Sequence, residues 1–368
     1  MSLIRIFAIQ QCVAAFAALA LCSEAAAAPK LFSATSAWNV SIPSSGATWS
    51  SSQATPNVVA GLDTWDSGNT WTNPFYVASN TTPCLQPLLY NSNAWYKVYT
   101  GEWLRWGNSS AVEQAILASS SAEFPYTGNV FSSIATTSWV LPPSYNKTMN
   151  PVSSPARFCF SADMIPAPGP DGDRAVLQPN NLVLETYSTI VLSSGQVVAL
   201  SYAVTDPSSR GDGWQNGQSA SMLPHYAGRI YDDEIKTGIN HAISISVPPK
   251  FLAAQIAYPA YAFDRDAMRS NPPYSGVLPM GSRLALPPSV TNASLRLSTP
   301  EGVAIANAAR RFGFIIIDRG GGGVTLCVNP KGAALNSTLH AWNWGLQSDL
   351  NAIFAKVRRV QFPIATNP

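Results

Sequence analysis

Residues 171–205 read DGDRAVLQPNNLVLETYSTIVLSSGQVVALSYAVT. Two runs rich in β-branched and large apolar residues, 174–178 and 182–187, flank Pro179-Asn180-Asn181. Such runs joined by a short turn-forming loop predict a hairpin. Ser194-Gly195 turns the chain again, into a third run at 196–203. Three successive strands make a meander, so the chain is expected to be mainly β. Further on, 206–219 (DPSSRGDGWQNGQS) has too little apolar surface to pack and is expected as a long loop. Residues 241–247 (HAISISV) alternate as a half-buried strand does.

Outside this stretch the pattern stays β-rich. The run 312–318 (FGFIIID) is apolar on both faces, which predicts a strand buried on both sides. Gly320 to Gly323 turn it into 324–328. No helix follows those glycines and no Lys-Ser/Thr pair closes them, so they are not a phosphate loop. Helices are expected at 110–121, at 299–310 and at 348–358, with a short one near 232–236. Thr299 is an N-cap, Pro300 fits the first helical position, and Glu301 suits the positive helix end. The expectation is an antiparallel β-sandwich or jelly roll with about three peripheral helices. One domain spans 29–368, with a loop-rich N-terminal part (29–165) and a central sheet and C-terminal part (166–368). The SAWNVSI run at 36–42 reads as an edge strand or a wrapping arm.

Residues 1–28 stand apart. Arg5, an apolar run from about Val13 to Leu21 and an alanine tract ending at Ala28 form the pattern of a secretory signal. The run is too short to cross a membrane. Export is therefore expected, to the periplasm or the medium, without membrane insertion. Past the signal, Cys84, Cys159 and Cys327 remain, and Cys84 with Cys159 is the preferred disulfide. Charged residues are only 11% and net charge is +2, with no Lys/Arg run. Phosphate backbones need clustered basic charge, so a nucleic-acid partner is not expected. The chain is expected to act as a monomer.

Several phrases resemble a group of secreted, β-rich bacterial and fungal proteins. They are Ser36-Ala37-Trp38-Asn39, Gly172-Asp173-Arg174, Val183-Leu184-Glu185 and Ser221-Met222-Leu223-Pro224. Asp233-Glu234-Ile235, Gly238-Ile239-Asn240-His241-Ala242 and Arg311-Phe312-Gly313 with Asp318 extend the likeness. The resemblance implies export and β structure, and no reaction. Where that group carries a histidine, Ala175 stands here.

Nine of the acidic residues lie between Asp163 and Glu234, so a site needing two carboxylates is most economically placed there. If Ala175 pairs with Glu185, then Asp173 and Glu185 share a face. A slip of one residue separates them. Two carboxyls on one concave face are what glycoside hydrolysis uses, one as acid and one as nucleophile or base. The first expectation is thus an exported polysaccharide-cleaving hydrolase. Its candidate catalytic residues are Glu185, Asp173, Asp212 and His241. Trp214 and Arg210 on the long loop are candidates for substrate binding. His225, Tyr226 and Arg229 also bind substrate in this reading. In the alternative they run β-elimination on a uronic-acid polymer, as a lyase. A third reading is a non-catalytic carbohydrate-binding or surface protein. Trp95, Trp103, Trp106, His340, Trp342 and Trp344 are candidate contacts to sugar or core aromatics. No metal-ligand spacing and no serine-hydrolase elbow occurs, so neither metal nor cofactor is expected.

Overall fold

The structure is a computed structural model. It describes residues 31–63, 73–90, 110–118, 120–121, 130–131, 139–140, 157–167, 171–215, 217–264, 267, 273–329 and 344–364. Residues 1–28, with the pattern of a secretory signal, and Trp95, Trp103, Trp106, His340 and Trp342 lie outside them.

The described residues are mainly β, with strands in several sheets and five α-helices. The largest sheet has seven strands. In spatial order they are Thr48–Trp49, Arg358–Gln361, Arg283–Ala285, Phe314–Arg319, Ile243–Val247, Val324–Cys327 and Ala60–Asp63. Phe314–Arg319 is buried on both faces. Phe314 and Ile316 pack with Ile305 and Phe354 on one side, and Ile315 and Ile317 with Tyr226 and Ala175 on the other. Burying both faces explains why this strand shows no polar alternation until Asp318.

Helices Pro300–Arg311 and Trp344–Phe354 cover the first side. The side chain of Thr299 accepts from the Gly302 N–H at 3.0 Å, as an N-cap should. Asp349 of the second helix accepts from the N–H groups of Ser298 (2.9 Å) and Thr299 (2.8 Å). One carboxylate therefore satisfies the end of the neighbouring helix and locks the two together.

A second sheet supplies the other side. Its order is Phe75–Val77, Arg174–Leu177, Val183–Tyr187, Ser201–Thr205 and Val130–Phe131. The hairpin forms with Ala175 opposite Glu185. Gln178 N–H bonds Leu182 O at 2.7 Å, and Asn181 takes a positive φ of 62° at the turn. The third run divides at Leu200. Val197–Ala199 pairs with Ile190–Val191 and Leu88–Tyr90, while Ser201–Thr205 returns to Val183–Tyr187.

Strand pairing is mixed rather than antiparallel throughout. Ile243–Val247 runs parallel to Phe314–Arg319, and Ala60–Asp63 parallel to Val324–Cys327. Parallel neighbours need long crossovers. The connection from 247 to 314 is one, and it carries helix Pro300–Arg311.

The N-terminal segment is a wrapping arm. Trp38 is fully buried, and its indole N–H donates to Gly211 O at 2.7 Å. The Asn39 amide N–H₂ donates to the carbonyls of Leu31 (2.9 Å) and Ser33 (3.0 Å). The arm thus pins the 206–215 loop to the core. Cys84 and Cys159 form the disulfide, and Cys327 is buried and takes no part in it. Among the described residues no helix is long and apolar enough to cross a membrane.

Candidate functional site

The site grows from the hairpin register. With Ala175 opposite Glu185, the side chains of Asp173 and Glu185 both turn toward the seven-stranded sheet. The 217–229 segment runs between the sheets and closes over them. Glu185 is fully buried. Its Oε1 accepts the His225 backbone N–H, and the nearby N–H groups of Gln218 and Tyr226 also favour its charged form. Its Oε2 has no hydrogen-bond partner. Burial pushes its pKa up to about 8, against the pull of those N–H groups and of Arg229. Glu185 therefore sits near neutrality and organises the loop around itself.

Asp173 is also buried. Its Oδ2 lies 3.3 Å from His225 Nδ1, and its Oδ1 has no hydrogen-bond partner. Burial raises its pKa well above the carboxylate range, and the charges of Asp171 and Asp318 add to that. His225 moves the other way, down to about 3, through burial and then the Arg229 charge. The pair therefore holds one proton on the carboxyl side, and the imidazole is neutral. Arg229 donates through Nε (2.9 Å) and NH2 (2.7 Å) to His225 O, and through NH1 to Val328 O at 3.2 Å. Tyr226 is fully buried with its hydroxyl 3.0 Å from Thr205 Oγ1, and burial raises its pKa.

Around this buried set lies a half-exposed rim of acids. Asp318 closes the apolar strand just after a register shift: Ile245 pairs with Ile316 but Ser246 with Asp318. Ile317 is the extra residue of that bulge. Such bulges re-aim the following side chain. Asp318 Oδ1 accepts from Arg319 N at 2.7 Å and Oδ2 from Ala220 N at 3.3 Å. Its pKa rises to about 7, from burial first, then the charges of Asp264 and Asp171. Asp171 accepts the Tyr187 hydroxyl at 3.1 Å. Asp264 accepts the Tyr274 hydroxyl and the Ala267 N–H (3.0 Å). The Tyr187 pKa is raised by Asp171, burial, Asp173 and Asp318, which ties hairpin and rim into one electrostatic group.

The structure thus brings Asp173, Glu185, His225, Tyr226 and Arg229 together. Asp212 belongs to another group. Its Oδ1 accepts from Trp214 N at 3.2 Å, its Oδ2 accepts the Tyr258 hydroxyl at 3.4 Å, and Arg210 Nε lies 4.0 Å away. Burial raises the pKa of Asp212. Trp214 packs edge-on to Tyr261, with centroids 5.7 Å apart. His241 forms a third group, its Nε2 3.0 Å from Glu234 Oε1 and its Nδ1 2.9 Å from Ala242 O. Burial lowers its pKa, but the Glu234 hydrogen bond and charge outweigh that, and the net shift is upward. Sequence reasoning gave no role to the rim residues Asp264, Tyr187 and Tyr274, and did not single out Asp171 or Asp318 as catalytic. One signal was present: an acid ending an otherwise wholly apolar strand. Among the described residues no group of three or more His, Cys, Asp and Glu side chains is placed to hold a metal ion.

No protein-family model matches the chain, and no curated protein or solved structure matches it significantly.

Proposed function

We propose that the protein is an exported polysaccharide-cleaving hydrolase whose working carboxyls are Asp318 and Asp171. The observation that carries the reading is the rim itself. In a chain with 20 acidic residues, two carboxyls from separate segments, Asp264 and Asp171, both act on the charge of a third, Asp318. Asp318, raised to about 7, is protonated in mildly acidic solution. A protonated carboxyl donates to the leaving glycosidic oxygen, and its partner carboxylate attacks C1 or activates water there. In this reading Asp171 is that partner, held by the Tyr187 hydroxyl. The buried Asp173 and His225 lie beneath as positioning groups, and Glu185 fixes the loop that supplies the Ala220 N–H to Asp318.

A sugar substrate suits the low charge and the part-buried aromatics Tyr187 and Tyr274 beside these acids. The lyase set is less accessible, because Tyr226 and Arg229 are engaged inside the core. Export is supported by the N-terminal pattern and by the disulfide. The test is a panel of neutral and acidic polysaccharides. A hydrolase releases reducing ends only. Products with an ultraviolet-absorbing unsaturated end would replace this reading with the lyase, and binding without cleavage would leave a carbohydrate-binding protein.

A further inference from the structure

A groove lies between helices Asp232–Thr237 and Pro300–Arg311. Its volume is about 740 Å³, within the range of small-ligand sites. One wall is a single stripe of the longer helix, Pro300, Val303, Asn307 and Arg311, spaced to fall on one face. Twelve residues of helix extend about 18 Å, long enough for an oligosaccharide rather than a single ring. The floor is apolar, through Val303 and the buried Ile239.

The polar groups of the groove are one-sided in charge. Lys236 and Arg311 are exposed in its lining, and no acidic residue lines it among the described residues. Arg311 is pre-organised, with its guanidinium 4.8 Å from the Phe312 ring centroid and NH1 donating to Asn240 Oδ1 at 3.2 Å. A held guanidinium fork binds a carboxylate better than a free one does. Glu234 of the shorter helix is turned to His241 and to the Tyr231 N–H (2.9 Å), so it does not neutralise the groove.

We infer that this groove binds a carboxylate-bearing oligosaccharide, a uronate chain, as a site separate from the acid rim. The carboxylate sits between Lys236 and Arg311, the Asn307 amide N–H₂ donates to a hydroxyl while its Oδ1 stays with Arg310 and Asn292, and the apolar floor takes a ring face. The choice of a sugar over another carboxylate rests on the carbohydrate reading above.

The test is calorimetric titration of the full exported chain with a galacturonate trisaccharide, the uncharged galactose trisaccharide and inorganic phosphate. The uronate is expected to bind at least about tenfold more tightly than either comparator. Lys236→Gln combined with Arg311→Gln should weaken it by about tenfold or more, whereas Asp318→Asn should change it by less than about twofold. Four results would overturn the inference: no uronate binding, binding indifferent to the double substitution, phosphate binding as tightly as the uronate, or loss of binding in Asp318→Asn. The last would place the uronate at the rim. Failure of the polysaccharide screen to show cleavage leaves the expected binding unchanged, so the two readings fail separately.

Discussion

Two histidines in this fold stand beside carboxyl groups at nearly equal distance, and their pKa values move in opposite directions. His225 Nδ1 is 3.3 Å from Asp173, and His241 Nε2 is 3.0 Å from Glu234. The first pair is sealed between two sheets with the Arg229 charge at hand, so its imidazole is pushed down to about 3 and its carboxyl upward. The second sits at the end of a short helix, where Glu234 prevails over burial and lifts the imidazole. Proximity alone therefore does not set a protonation state. Burial and the third charge decide it.

The largest contrast is expected in stability when the carboxyl of each region is removed. Glu185→Ala leaves a buried void and strips the N–H groups of Gln218, His225 and Tyr226 of their acceptor. It should cost about 3 kcal/mol or more, while Glu185→Gln, which mimics the protonated acid, should cost under about 1 kcal/mol. Glu234→Ala, at the helix end, should cost only about 1 kcal/mol. Urea denaturation at pH 6 checks all three. Equal losses at both sites would erase the distinction between the regions.

Next in size is the effect on the proposed cleavage. His225→Gln should lower kcat about 100-fold by disturbing Asp173 under the rim, and should shift the alkaline limb of the pH–rate profile. His241→Gln should leave kcat within about twofold. Steady-state kinetics on whichever polysaccharide is cleaved separates the two.

The pH dependence of stability sharpens the comparison. Glu185 folds with a pKa of about 8 against an ordinary value of 4.5, so the native state holds the extra proton in that window. Its contribution is full below 4.5 and is lost as pH rises to 8, at up to about 1.4 kcal/mol per pH unit. His225 has the opposite sign. Its pKa falls from 6.5 to about 3, so the unfolded chain takes the proton and stability falls as pH drops through that window. Glu185 and His225 offset each other between about pH 4.5 and 6.5. Asp318, raised to about 7, and the raised Asp173 and His241 add to the Glu185 decline as pH rises further. Stability should therefore decline from pH 6.5 to 8, and Glu185→Gln should make that decline shallower by up to about 1.4 kcal/mol per pH unit. An unchanged slope in that variant would show that the carboxyl ionises normally.

The smallest effect belongs to the outer pair. His241 gains a raised pKa, so its contribution is complete below pH 6.5 and disappears as pH rises through the raised value. Glu234→Gln should cost about 1 kcal/mol at pH 5.5 and close to nothing at pH 9, read by thermal unfolding.

Much of the hairpin region was legible because its signals are local. The two apolar runs flanking Pro179-Asn180-Asn181 marked the hairpin, while its register, and with it the shared face of Asp173 and Glu185, stays conditional in the sequence and is supplied by the structure. The both-faced apolar run before Asp318 marked the buried strand, and Thr299-Pro300 marked a helix start. The rest depends on contacts far apart in sequence. Nothing near Ala60 or Val324 announces that their strands lie parallel. The bulge at Ile317 that re-aims Asp318 arises only against Ile245 and Ser246. Asp212 and His241 sit outside regular strands, where no period says which way a side chain faces, and each found a partner of its own.

The division between an inner, loop-holding carboxyl set and an outer, working one is tested most directly by kinetics of Asp318→Asn on two substrates. One is the polysaccharide that the wild type cleaves; the other is an aryl glycoside of the same sugar, whose phenolate departs without a proton. Asp318 as the acid requires a loss of about 1,000-fold on the polysaccharide and less than about tenfold on the aryl glycoside. Equal losses on both substrates, or wild-type rates on the polysaccharide, would contradict it.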